Sequence, residues 1–161
     1  MELVAESPHI VSMIETFTIE KSVYLVTKYA QGGDLLHYCI NEEDPEAWMS
    51  EERAHHIFVQ VAQGVRDMHH VGLVHRDLKL LNIFMCDTTD KPRVKVGDLG
   101  LSAYLDPNDV FIKRAGTTAF MAPEVMLDQP SDAKADVWSL GILLYTLICS
   151  KLPFPSKLYQ E

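Results

Sequence analysis

The run His75-Arg76-Asp77-Leu78-Lys79-Leu80-Leu81-Asn82 constrains this chain more than any other stretch. It sets an acid, a base and an amide at fixed offsets on a loop. A second carboxylate follows in Val96-Gly97-Asp98-Leu99-Gly100. Two carboxylates and an amide oxygen suit a hard, oxygen-seeking cation such as Mg²⁺ carrying phosphates. The remaining segments are placed by what those residues need around them.

Upstream of the loop, Ser50 reads as an N-cap, with Glu51 and Glu52 in a first turn where the helix dipole favours anions. Ala54, Ile57, Phe58, Val61, Ala62, Val65 and Met68 then recur at helical spacing up to His70, and Gly72 ends the helix. Further upstream, Ile10 to Phe17 and Val23 to Thr27 are β-branched and aromatic runs around the polar turn Glu20-Lys21-Ser22, a hairpin signal. Met1 to Glu6 reads as a frayed helix end or bare start, and Pro8 turns the chain into the first run. Gly32-Gly33 leads out of the hairpin, Leu35 to Ile40 predicts a short helix, and Asn41 to Trp48 an acidic loop. Downstream, Ile83-Phe84-Met85 and Val94-Lys95-Val96 predict two short strands. A poorly periodic segment runs from Ser102 to Met121. Ala122-Pro123-Glu124 opens a helical piece, and Asp136 to Cys149 predicts a buried core helix.

Composition narrows the function classes. The 161 residues suffice for one domain with a core. A formal net charge of −9 argues against nucleic acid, whose phosphates are bound by a Lys/Arg excess, and against an anionic membrane surface. The longest apolar run, Val137 to Cys149, is shorter than the roughly 20 residues of a membrane span. No basic region followed by an apolar core opens the chain, so no signal peptide is expected. Cys39, Cys86 and Cys149 lack metal-ligand spacing and predict free, mostly buried thiols in a cytoplasmic or nuclear protein. His55-His56 and His69-His70 read as surface or capping residues, because adjacent helical residues point about 100° apart. Glu42-Glu43-Asp44 reads as a solvated loop.

The eight-residue run, then D-x-G, then Ala122-Pro123-Glu124, then Asp136-Val137-Trp138-Ser139-Leu140-Gly141 agree in order and spacing. Together they resemble the Ser/Thr branch of the eukaryotic protein kinase family. The resemblance implies an α+β, protein-kinase-like fold, mostly the helical C-terminal lobe. Residues 1–27 would be a remnant of the N-lobe sheet, 28–33 the hinge and 34–161 a truncated C-lobe. It implies ATP and Mg²⁺ as cofactors, protein substrates, and transfer of the γ-phosphate to Ser/Thr hydroxyls. By the same resemblance Asp77 is the catalytic base and Lys79 contacts the phosphate, while Asn82 and Asp98 bind magnesium. Thr27 would be the gatekeeper. Lys28 and Ala30 would face adenine, Asp34 would reach the ribose, and Phe84 and Leu35 would pack beneath the base. Met13, His75 and Leu99 would join a vertical hydrophobic stack. Gly116 and Thr117 would support the substrate hydroxyl, and Asp136 would anchor the catalytic loop.

Three departures from the family pattern stand out. No Gly-rich loop, V-A-I-K lysine or helix glutamate precedes the hinge, and the helices that normally follow Phe154, with the arginine that pairs with Glu124, are not found. The span thus resembles roughly the middle three-fifths of a kinase domain, judged against usual domain sizes. Such a chain is expected to show little activity alone and to expose apolar surface; a non-catalytic docking module is the alternative function. Leu99 stands where Phe is commoner. The usual activation-segment phosphosite falls on Lys113, so Arg76 would pair with an acid such as Asp106 or Asp109, or the segment is not phospho-gated. Ser102, Tyr104 and Thr118 are then less usual phosphosites.

Overall fold

The computed structural model describes residues 4–40, 49–105, 110 and 114–154. Its elements are β1 (Met13–Ile19), β2 (Ser22–Thr27), α1 (Leu35–Cys39), α2 (Glu51–His70), β3 (Leu73–Val74), β4 (Ile83–Met85), β5 (Val94–Val96), β6 (Ala103–Tyr104), α3 (Pro123–Met126) and α4 (Lys134–Cys149). Among the described residues the strands pair as three antiparallel two-stranded sheets, β1–β2, β3–β6 and β4–β5.

Local chemistry sets both ends of α2. The Ser50 hydroxyl accepts from the Arg53 amide at 3.4 Å, and Glu51 and Glu52 occupy the first turn. Gly72, at φ +75°, supplies the left-handed residue beyond the last turn. Between these ends Ala54, Ile57, Val61, Val65 and Met68 are buried, and their spacing puts them on one face. That face meets β5 and α4, and the core gathers Leu35, Ile57, Leu78, Ile83, Met85, Leu143 and Leu147 around it. Truncating one of these to Ala removes its transfer free energy and leaves a cavity, about 2–5 kcal/mol for a Leu.

The first strand begins later than the sequence suggests. Ile10 and Val11 leave the hairpin and lie beside β5 instead, with Val96 N donating to His9 O and Val11 N to Val96 O, each at 2.8 Å. Both side chains are buried there, and this burial outweighs continuing the hairpin. The turn is tighter than expected, with Ile19 facing Ser22 and Glu20 at φ 54°. The hairpin itself is open to solvent: Ile14, Phe17, Ile19, Val23, Tyr24 and Leu25 are all exposed. Its side-chain order comes from Phe17 stacked on its cross-strand partner Tyr24, centroids 5.3 Å apart.

Helix α4 starts at Lys134, two residues before the expected Asp136, and is not fully buried. Ile142, Leu143 and Leu147 face the core, whereas Val137, Tyr145 and Ile148 lie on the surface, and Trp138 stacks on Phe154 with centroids 5.9 Å apart. A helix apolar all round reads as buried from sequence alone, but here only one side of it is covered. The thiols also differ from expectation, since only Cys39 is buried; Cys86 is half-buried and Cys149 exposed. Burial, reinforced by the charge of Asp34, pushes the Cys39 thiol up to about 12. Among the described residues no helix is long and apolar enough to cross a membrane.

Candidate active site

The loop His75–Asn82 is held from below by one carboxylate on α4. Asp136 is almost fully buried, at 1% exposure, and its oxygens are consumed by the loop. Oδ2 accepts from the His75 amide at 2.8 Å and Oδ1 from the Arg76 amide at 2.9 Å. His69 Nε2 meets the same Oδ2 at 2.8 Å, so this histidine belongs to the site and is not a surface or capping residue. The sequence hid it because its partner is 67 positions away. His56 likewise meets the Pro92 carbonyl, at 3.1 Å.

His75 is wholly buried and spans two loops. Its Nδ1 accepts from the Asp77 amide at 3.2 Å, so the ring proton sits on Nε2, which donates to the Gly97 carbonyl at 2.9 Å. One ring thereby fixes the loop carrying Asp77 relative to the one carrying Asp98. Arg76 follows at φ 69°, a left-handed conformation that a side chain rarely adopts, and it lines a small cavity with Ala115, Val125 and Ser131.

Four donors converge on the Asp77 carboxylate. Oδ1 accepts from the Thr117 amide at 2.8 Å and from its hydroxyl at 2.6 Å. Oδ2 accepts from Lys79 Nζ at 2.8 Å and from Asn82 Nδ2 at 3.2 Å. Lys79 Nζ also donates to the Thr117 hydroxyl at 2.9 Å, and Asn82 Nδ2 to the Asp77 carbonyl at 2.8 Å. Burial alone would raise this carboxyl, but the hydrogen bonds from Lys79 and Thr117 outweigh it and hold it below the ordinary carboxylate range. Thr117 can reach Asp77 because Gly116 precedes it. Gly116 sits at φ +107°, and a Cβ there would run into the Arg76 carbonyl.

The expected metal donors are neighbours. The Gly97 amide donates to the Asn82 carbonyl at 2.9 Å, which sets Asp98 next to Asn82. With Nδ2 committed to Asp77, Oδ1 is the side-chain atom Asn82 has left to offer. Asp98 is exposed at φ 53°, and among the described residues only its Oδ1 is engaged, by the Gly100 amide at 3.3 Å. Among the described residues no cluster of three or more His, Cys, Asp and Glu side chains forms. Two hard oxygens without a full cage fit Mg²⁺, which keeps waters and takes substrate phosphates as its remaining ligands.

Above this floor, Thr27, Lys28, Ala30, Asp34 and Phe84 line a cavity of about 280 Å³ with Val11. Gly32 N donates to Met85 O at 2.9 Å and Met85 N to Gly33 O at 2.8 Å, stitching the 28–33 segment to β4 and setting Phe84 beneath it. The Lys28 amide is taken by Ser12 O at 2.9 Å, and the Ala30 carbonyl by Gly33 N at 3.3 Å. Among the described residues, the Lys28 carbonyl and Ala30 amide have no backbone partner, leaving one acceptor and one donor beside the cavity. Asp34 has a second task, as the N-cap of α1. It accepts from the His37 amide at 3.0 Å and meets His37 Nδ1 at 2.7 Å. Leu35 is fully buried in the core. Glu124 sits in the first turn of α3, apart from the Asp77 network. Lys113, Asp106, Asp109, Glu42, Glu43 and Asp44 lie outside the described residues.

Comparison with known proteins identifies the family. A family model described as "Protein kinase domain" matches residues 1–161. The mouse (Mus musculus) ribosomal protein S6 kinase alpha-6 is 37% identical over 151 residues, covering 92% of this chain and 19% of that protein. Human (Homo sapiens) serine/threonine-protein kinase ULK1 is 34% identical over 159 residues, covering 95% of this chain and 15% of its own length. Arabidopsis thaliana calcium-dependent protein kinase 27 is 34% identical over 154 residues, covering 96% of this chain and 32% of its own. The chain thus spans a third or less of the length of these relatives. The matched span includes the loop around Asp77, the Asp98 carboxylate and the cavity at the 28–33 segment, and the chain belongs to the protein kinase domain family.

Proposed function

We propose that the whole protein is a serine/threonine kinase, transferring the γ-phosphate of ATP to Ser/Thr hydroxyls of proteins. The observation that carries this reading is the Asp77 carboxylate gripped by Lys79, Asn82 and Thr117. The hydrogen bonds from Lys79 and Thr117 favour the ionised form of this carboxylate. It orients an incoming hydroxyl and takes its proton late, once the oxygen has acquired acidity in the transition state. Lys79, whose ammonium bonds both the Asp77 carboxylate and the Thr117 hydroxyl, would balance charge gathering on the phosphoryl oxygens. Asn82 and Asp98 would hold Mg²⁺. Bound Mg²⁺ and ATP would supply the phosphoryl group and neutralise its charge. Lys28 and Ala30 would offer adenine their free carbonyl and amide, with Phe84 beneath the ring.

The test is phosphate transfer to a Ser/Thr peptide by the whole protein, with Asp77→Asn as the comparison. Asp77→Asn should lower the rate by at least about a hundredfold, the usual worth of a positioned proton acceptor. Unchanged transfer in Asp77→Asn would refute the assignment.

A second reading concerns this chain by itself, as a kinase-like module that docks partners. The exposed hairpin residues Ile14, Val23 and Leu25 favour it. Asp77-dependent transfer by the isolated chain would rule it out.

A further inference from the structure

We propose that Ser7 is a phosphorylation site for a proline-directed protein kinase, and that the modification unlatches the N-terminal segment from α2. Ser7 is the only Ser or Thr in the sequence that precedes a proline. The proline biases the preceding residue to extended geometry, the form in which a modifying kinase takes up its substrate. Ser7 is half-buried at the edge of an open cavity of about 650 Å³, which it lines with Val4, Glu6, Arg66, Asp67 and His70.

The hydroxyl of Ser7 is the latch. Its Oγ donates to Asp67 Oδ2 on α2 at 2.6 Å and accepts from the His9 amide at 3.3 Å. The other oxygen of Asp67 is held by its neighbour Arg66, whose Nη2 lies at 3.0 Å. This pair fastens the segment to α2 just before the backbone that pairs with β5. Two residues on, His9 and Val11 exchange hydrogen bonds with Val96 of β5. Val96 is followed by Gly97, whose carbonyl accepts a hydrogen bond from His75 Nε2, and then by Asp98. Val4, on the other side of Ser7, is buried in the core cluster.

Modification converts this attraction into repulsion. The Ser7 oxygen attacks the γ-phosphorus of ATP on the modifying kinase. A P–O bond forms at Oγ, the bond to the β–γ bridging oxygen breaks, ADP departs, and the hydroxyl proton passes to that kinase's base. The product has no hydrogen to give Asp67 and brings a charge of about −1.5 to −2 against it and Glu6. Arg66, His70 and His9 are the basic side chains at hand, and His9 reaches Asp67 only through space. Arg66 is already spent on Asp67 and largely exposed, where ion pairs count for little. His70 lines the same cavity, and among the described residues no hydrogen bond or ion pair joins it to Ser7 or Asp67. The carboxylate at hydrogen-bond distance therefore dominates, and the segment lifts.

The experiment treats the 161-residue chain with ATP and a proline-directed kinase. Peptide mass spectrometry locates the phosphate, and hydrogen exchange follows the amides of Val11 and Val96 before and after. Phosphate on Ser7 is expected, with none in Pro8→Ala or Ser7→Ala. Exchange at Val11 and Val96 should accelerate about tenfold or more, the factor for losing a bond to a charged group, while amides within α4 stay unchanged. Asp67→Asn removes the facing charge, so the phosphorylated variant should show a smaller acceleration than the phosphorylated parent. Failure of the folded chain to accept phosphate at Ser7 would overturn the site. Phosphorylated chain with unaltered exchange at Val11 and Val96, or the same acceleration with Asp67→Asn, would overturn the latch.

Discussion

The loop around Asp77 and the β1–β2 hairpin are built on opposite principles. Around the loop, four polar residues are buried (His75, Asp77 and Asn82 on it and Asp136 on α4 beneath it), and their side chains are bonded to groups that are themselves fixed. In the hairpin, the apolar side chains Ile14, Val23 and Leu25 stand in solvent, and a backbone ladder with one ring stack keeps order. Buried polar networks tolerate little error, because each unpaired member carries its full desolvation cost. Exposed apolar strands tolerate much, because nothing is packed against them. The loop should therefore be rigid and fragile to mutation, the hairpin plastic and prone to association.

The sharpest way to break the contrast is Asp136→Ala. It strips the buried His75 amide, the half-buried Arg76 amide and His69 of their acceptor, and about 3 kcal/mol or more should be lost at roughly 1–3 kcal/mol per orphaned group. Urea unfolding measures it; a midpoint within error of the parent would mean that the loop holds itself. Gly116→Ala comes next. Strain at its positive φ and the Arg76 carbonyl should cost about 1–3 kcal/mol and free the Thr117 amide from Asp77, visible as faster exchange at Thr117.

The pH dependence of stability probes the same network. The folded Asp77 carboxyl is depressed below its unfolded value, so its contribution is present above the unfolded range near about 4 and fades as pH falls through the folded value. Asp77→Asn should flatten that acid limb, and an identical limb would exclude Asp77 as its source. His69→Ala should cost about 1 kcal/mol in thermal unfolding, since the two loop amides still satisfy Asp136. Smallest of all, Val23→Thr should shift stability by no more than about 0.5 kcal/mol. Sedimentation velocity should nonetheless show less self-association, and a large stability loss there would erase the contrast.

What the sequence discloses follows the same divide. Asp77, Lys79 and Asn82 are legible because the chemistry needs them within one short run, and α2 is legible because burial on one face imposes a period. The cavity residues Thr27, Lys28, Ala30, Asp34 and Phe84 were named by resemblance, and the fold brings them together. His69 is silent in sequence, because a histidine on a helix says nothing about a carboxylate 67 positions on. Strands β3 and β6 are too short for any alternation to register. Ile10 and Val11 read as hairpin because apolar content does not reveal which strand will cover it. Composition also overstated the burial of α4, since an all-apolar helix does not record which of its sides is covered.

The His75 ring offers a consequence for spectroscopy. One of its nitrogens is a bare acceptor bound to the Asp77 amide, the other a protonated donor bound to the Gly97 carbonyl. In a ¹⁵N-labelled chain these two atoms resonate far apart as long as both loops stay seated. Opening of either loop frees one nitrogen and lets the proton exchange between the two sites, so the pair of signals moves together. The separation of the two resonances of a single side chain thus reports whether both loops are seated at once.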